Sequence, residues 1–351
     1  MRKTISRDLT IDIVKIIALI TMSITHTAMA IYKYTRLSAV TFLSNLGGDI
    51  SYTFFLFSFG AGLFYSISKP IKLKYKKYLN KALIWLITYY LLSIIGYIVF
   101  TYDATNAIDL SITTLINIFL LKTPIPLVDF FISFVIFLLL TVTFKKAILI
   151  TISNYILIIM LIFVFNLISF FARETVDTNT IGSLFWGYKN YSYFPILNYS
   201  LVFLLGLNYS FVKTYKSKSK YMILAMFSLF VPLEIYLYKK FDYSRFPPNT
   251  QFILYGLSIL YCILAIINFI PANKIPQKVK NGITAVGKNI FKFYITHTLI
   301  IFLLYALPIE KTSDPLIIFS IWIGTIAISF AFIYRKLILT SLKLIFIKDN
   351  K

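Results

Sequence analysis

The feature that most constrains this chain is the recurrence of apolar stretches about twenty residues long, separated by short loops that hold most of the lysines. The hydrocarbon core of a bilayer takes about 20 helical residues to cross, and a helix satisfies its backbone polar groups within the segment. Stretches of this length run from Thr10 to Tyr32, Leu43 to Ile67, Asn80 to Tyr102, Pro126 to Phe144 and Ala147 to Phe171. A second group runs from Tyr193 to Val212, Tyr221 to Tyr238, Gln251 to Ile270, Ala285 to Leu307 and Leu316 to Tyr334. The pattern predicts an all-α, polytopic integral membrane protein with about ten transmembrane helices. With 59% hydrophobic and only 14% charged residues, the chain carries more apolar surface than a soluble domain of this size buries, so the surplus faces lipid.

The stretch from Ile108 to Leu121 is apolar but too short to cross, and charge decides how to read it. With the N-terminus inside and ten spans, the inner loops hold 24 lysines and arginines and the outer loops nine, with Lys15 and Lys292 inside spans. By the positive-inside rule both termini are cytoplasmic, and Ile108 to Leu121 is one short re-entrant or interfacial helix. If it crossed, the lysine-rich loops after it would fall outside. The formal net charge of +22 is thereby a topological signal, and no nucleic-acid partner is expected. Thr10 to Tyr32 exceeds the ~7–15 residues of a signal-peptide core and ends without a small-residue cleavage site, so it is read as the first span. A single cysteine, Cys262, excludes an internal disulfide framework, and no repeat or low-complexity linker divides residues 1–351, which read as one domain.

Ionisable side chains inside spans cost roughly 2.5–3.5 kcal/mol each on insertion scales and are therefore candidates for function. The first span holds Asp12, Lys15 and His26. Lys15 and His26 are eleven residues apart, which returns to within about 20° of the same helix face and lies ~16 Å further along the axis. Asp12, three residues before Lys15, is placed to pair with it. The other histidine, His297, lies in the span from Ala285 to Leu307, three residues after Tyr294 and on the same face. The two histidines can share a cavity only if their spans are neighbours. No His-Glu-x-x-His cluster, Gly-x-Ser-x-Gly elbow or phosphate-binding glycine loop occurs, so no metal site, serine nucleophile or bound cofactor is expected. In the second span Ser58, Gly60, Ala61 and Gly62 are small enough for another helix or an extended ligand to approach the backbone.

These residues carry a resemblance. Asp12-Ile-Val-Lys15, ten residues and then His26 is similar to the Asp-x-x-Arg and histidine of the acyltransferase family 3 membrane proteins and the related heparan-glucosaminide acetyltransferase-like group. Phe54-Phe55-Leu56-Phe57-Ser58-Phe59-Gly60 resembles their Phe-Phe-x-x-Ser-Gly segment with one residue inserted. Gly287-Lys288-Asn289 through Tyr294 to His297 resembles Gly-x-x-Ser-x-x-x-Tyr-x-x-His, and Phe194-Pro195-Ile196-Leu197 followed by Gly206 resembles the Phe-Pro-x-Leu stretch of the glucosaminide group. Lysine at position 15 and Asn289 depart from the pattern, the first replacing a bidentate guanidinium with a point charge.

The resemblance implies a ten-helix membrane acyltransferase that moves an acyl group, usually acetyl, from cytoplasmic acyl-CoA to a hydroxyl of a cell-surface or lipid-linked glycan. His26 is then the catalytic residue, accepting the hydroxyl proton or carrying the acyl group transiently. Asp12, Lys15, Ser58, Tyr294 and His297 are then substrate-binding or acyl-CoA-binding, with Lys15 suited to the CoA phosphates or the thioester oxygen. Two other classes compete: a glycan or lipid transporter or flippase, whose polar residues would line a path, and a non-catalytic relative serving polysaccharide export. No inverted repeat marks a transporter.

Overall fold

The computed structural model describes residues 8–33, 38–68, 75–105, 110–154, 194–215, 248–270, 274–307 and 311–348, with residue 309 and scattered positions between 156 and 187 and between 223 and 233. Its long elements are all helices: α1 Leu9–Ile31, α2 Ala39–Ile67, α3 Tyr75–Thr105, α4 Ile112–Phe119, α5 Phe130–Thr143, α6 Lys145–Ser153, α7 Ile196–Tyr215, α8 Thr250–Phe269, α9 Gln277–Ala306 and α10 Pro315–Lys348. Among the described residues, seven helices are long and apolar enough to cross a membrane, or eight if α5 and α6 count as one span. The expected spans Ala147 to Phe171 and Tyr221 to Tyr238 lie partly outside the described residues.

Short polar side chains start the helices where the apolar runs begin. Asp8, Ser38, Ser111 and Asn249 each accept a backbone N–H two or three residues on, satisfying donors that the first turn leaves without an intrahelical partner. Asp8 also takes an ion pair from Lys213 at 2.8 Å, which pins the start of α1 to the end of α7. Within the apolar core some hydroxyls bond back onto their own helix: Thr27 donates to the Ser23 carbonyl and Thr141 to the Phe137 carbonyl, one turn back.

α1 and α2 form the centre, antiparallel and in close approach. Gly47 lies so near the Thr21 carbonyl that a β-carbon there would overlap it, and the Thr25 hydroxyl donates across the seam to the Ser44 carbonyl at 2.7 Å. α7 packs parallel to α2 by a reciprocal glycine contact, Gly60 against the Phe203 carbonyl and Gly206 against the Phe57 carbonyl, while the Ser210 hydroxyl donates to the Ala61 carbonyl. The small residues that the sequence marked in α2 thus serve helix approach. Gly62 meets nothing within 4 Å and takes no part. α8 also runs parallel to α2, with Gly256 against Thr53 and Tyr261 against Phe57. α9 lies beside α1 and parallel to it, and α10 covers them, its Trp322 indole donating to the Ser23 hydroxyl at 2.7 Å.

These contacts fix direction. α1, α3 and α9 run one way, and α2, α5, α7, α8 and α10 the other. The chain leaving α7 and the chain entering α8 are therefore at opposite ends of the bundle, as an intervening crossing requires. α4 does not cross: eight residues extend ~12 Å. Its Phe119 ring sits 4.8 Å from that of Tyr90, midway along α3, whose hydroxyl donates to the Phe119 carbonyl at 3.2 Å. A segment lying on the surface would not reach that depth, so of the two readings of Ile108 to Leu121 the contacts match the re-entrant one. α5 has 14 residues, ~21 Å, and starts inside the bundle rather than at its edge. Where the sequence suggested a loop at 145–146 the chain stays helical and bends by 93° into α6.

Candidate functional site

Between the C-terminal half of α1, the middle of α2 and the start of α5 lies a cavity of about 250 Å³. α1 gives it Met22, Thr25, His26 and Met29, and α2 gives it Gly48, Ser51, Tyr52 and Phe55. Both sets have the spacing i, i+3, i+4, i+7 of one helix face. Pro126, Leu127, Asp129 and Phe130 close a third side, with Phe194 and Tyr294 completing the wall. The rings interlock: Tyr52 stacks on Phe194 with centroids 4.0 Å apart, and Phe130 meets Tyr294 edge-on at 4.8 Å. Phe194 is held by its own carbonyl, which accepts the Ser133 hydroxyl of α5 at 3.0 Å. Met29, partly exposed, stands at the mouth.

His26 is half-buried in the wall of this cavity. His297 lies behind it, the two imidazoles nearly parallel at 16° with centroids 5.7 Å apart, while Tyr294 meets His26 edge-on at 6.4 Å. The spans of the two histidines are therefore neighbours. His297 is fully buried, does not line the cavity, and neither ring nitrogen has a hydrogen-bond partner among the described residues. A buried polar ring kept without a partner costs stability unless it serves another purpose.

Asp129 escaped the sequence reading. It is buried, with 4% exposure, and lines the cavity together with the first-span residues. Leu127, two residues before it, has φ of 74°, a conformation costing a branched residue roughly 1–2 kcal/mol. The Tyr294 hydroxyl donates to the Leu127 carbonyl, so α9 holds the strained turn that presents Asp129. The signal was available: Asp129 is an ionisable residue inside an expected span, by the same rule that singled out Asp12.

The remaining candidates are elsewhere. Lys15 lies 3.6 Å from the Asp12 carboxylate, nearer the opposite end of α1, and neither reaches the cavity. Asp12 is buried against Gly287, where a β-carbon would collide with its carboxylate. Ser58 is fully buried on α2, outside the cavity lining. Among the described residues no three or more His, Cys, Asp or Glu side chains converge as a metal site would need.

Comparison with known families decides between the relatives suggested by the motifs. The model of the family described as heparan-alpha-glucosaminide N-acetyltransferase, catalytic, matches residues 7–240, well over half of the chain. The chain belongs to that family. It is the glucosaminide acetyltransferase group that matches, and through it this chain is a membrane acetyltransferase-like protein. The matched stretch contains Asp12, Lys15, His26, Ser58 and Asp129, whereas Tyr294 and His297 of the acetyltransferase-like chain lie beyond it. No curated protein and no solved structure matches.

Proposed function

We propose that this protein transfers an acyl group, acetyl in the first instance, from cytoplasmic acyl-CoA to a hydroxyl of a cell-surface or lipid-linked glycan, with His26 as the catalytic residue. The observation that supports it most is an imidazole set in the wall of an aromatic cavity, backed by a second imidazole and faced by a carboxylate. Such a cavity excludes water that would otherwise hydrolyse an activated acyl group. In the direct route the acceptor oxygen attacks the thioester carbonyl carbon, His26 takes its proton, the C–S bond breaks and the CoA thiolate receives the proton from His26. In the covalent route the imidazole attacks the thioester carbonyl first, the C–S bond breaks and CoA leaves as the thiol with the imidazole's proton. The acceptor hydroxyl then attacks the acyl carbon, the C–N bond breaks and the imidazole takes the hydroxyl proton.

Lys15 lies on the same helix face as His26 and ~16 Å below it along the axis. An extended pantetheine arm is a linker suited to such a separation, with its phosphates toward Lys15 and the lysines that begin α3, and its thioester toward His26. On this reading both termini lie in the cytoplasm of a multi-pass cell-membrane protein and the cavity mouth opens on the far side. The test is transfer of label from radioactive acetyl-CoA to envelope glycan by the purified protein, followed by mild hydroxylamine. Release of the label identifies an ester, and resistance identifies the amide that an N-acetyltransferase makes. No transfer to any glycan fraction would remove the reading.

A further inference from the structure

We infer that Asp129 is the residue that takes hold of the acceptor, accepting a hydrogen bond from a hydroxyl or ammonium on a single sugar ring seated against Tyr52, Phe130 and Tyr294. The inference rests on the acyl-transfer reading only for what the sugar then does. At about 250 Å³ the cavity lies just below the ~300–1,000 Å³ usual for ligand pockets, the scale of one monosaccharide rather than an oligosaccharide. Its walls are mainly aromatic and methionine side chains, which suit the C–H faces of a pyranose and leave orientation to a few polar groups.

Of those polar groups Asp129 is the acidic one. Aspartate at a helix N-cap ordinarily turns back to accept an N–H of its own first turn. Here the residue has helical dihedrals rather than the extended ones of a capping residue, is buried, and lines the cavity. The approach to it is built for that placement. α4 runs beside α3 to the level of Tyr90, Leu127 adopts a left-handed conformation, and Tyr294 from the far end of the chain holds the Leu127 carbonyl. A carboxylate fixed in this way on one wall and an imidazole on another can grip one donor group of a sugar while a neighbouring group meets His26.

The experiment uses the full chain with Met29→Cys as a reporter at the cavity mouth and Cys262→Ser to remove the native thiol. Labelling by a polar maleimide is measured with and without methyl glucoside or its 2-amino-2-deoxy counterpart. Protection by either sugar is expected, the stronger of the two telling hydroxyl from ammonium, and Asp129→Asn should raise the sugar concentration needed at least tenfold. Transfer assays of Asp129→Asn should show the same rise in acceptor KM with a smaller change in kcat. Protection undiminished by Asp129→Asn, or no protection by either sugar, overturns the inference. So does an altered labelling rate without sugar, which would make Asp129 a support for the cavity's shape. Sugar protection that depends on Asp129 in a protein without transfer activity would sustain the inference while the acyl-transfer reading fails.

Discussion

The two ends of α1 make an instructive contrast. At one end Asp12 and Lys15 pair with each other, Gly287 closes against the carboxylate, and Asp8 is tied to Lys213, so charge is neutralised by neighbours in a tightly packed seam. At the other end His26 faces an open space with a carboxylate across it and a second imidazole behind. A helix that carries buried polar groups at both ends thus packs one set into the bundle and lines a cavity with the other. Burial of an ionisable residue alone does not separate the two roles; the presence or absence of packing around it does.

The largest effect should come from the open end. His26→Ala should insert and fold normally yet lose about 10²–10⁴-fold in transfer if the imidazole acts as a base, and more if it carries the acyl group. A parental rate in that variant would move the chemistry out of the cavity. At the closed end Gly287→Val should act on stability instead, because the new side chain overlaps the Asp12 carboxylate. Overpacking of this kind costs about 1–3 kcal/mol, and a lowered melting temperature in detergent checks it.

Lys15→Met would show whether the closed end also binds donor. About a tenfold rise in acyl-CoA KM is expected, the equivalent of ~1.4 kcal/mol, with Lys15→Arg near normal because the positive charge remains. An unchanged KM in the methionine variant would leave Lys15 as the partner of Asp12 and nothing more. The smallest effect is expected for His297→Ala, a fewfold fall in kcat, since that ring backs His26 without lining the cavity. A loss as deep as that of His26→Ala would make the two histidines one catalytic unit.

Sequence periodicity carried much of this. Span lengths and lysine placement gave the helix directions that the packing reproduces, and the 100° rotation per residue placed Lys15 and His26 on one face. Pairing of Asp12 with Lys15 followed from their spacing of three. What periodicity cannot carry is contact between elements distant in the chain, so the meeting of His26 with His297 became visible only when α1 and α9 were seen side by side. Asp129 was legible as a charge inside an expected span, but its place at the cavity was not. The stretch Pro126 to Phe144 reads as one apolar span, and only the left-handed turn at Leu127 divides it into a re-entrant tip and a short helix with the carboxylate at the junction.

The bond from Tyr294 to Leu127 joins residues 167 positions apart, and this separation sets an order of assembly. At ~5–20 residues per second, a ribosome that has just made the re-entrant tip needs roughly 10–30 s more before Tyr294 exists. Throughout that interval the Leu127 carbonyl lacks the hydroxyl that holds it in the folded protein. The cavity therefore has its full wall only when α9, among the last of the helices to be synthesised, docks beside the first.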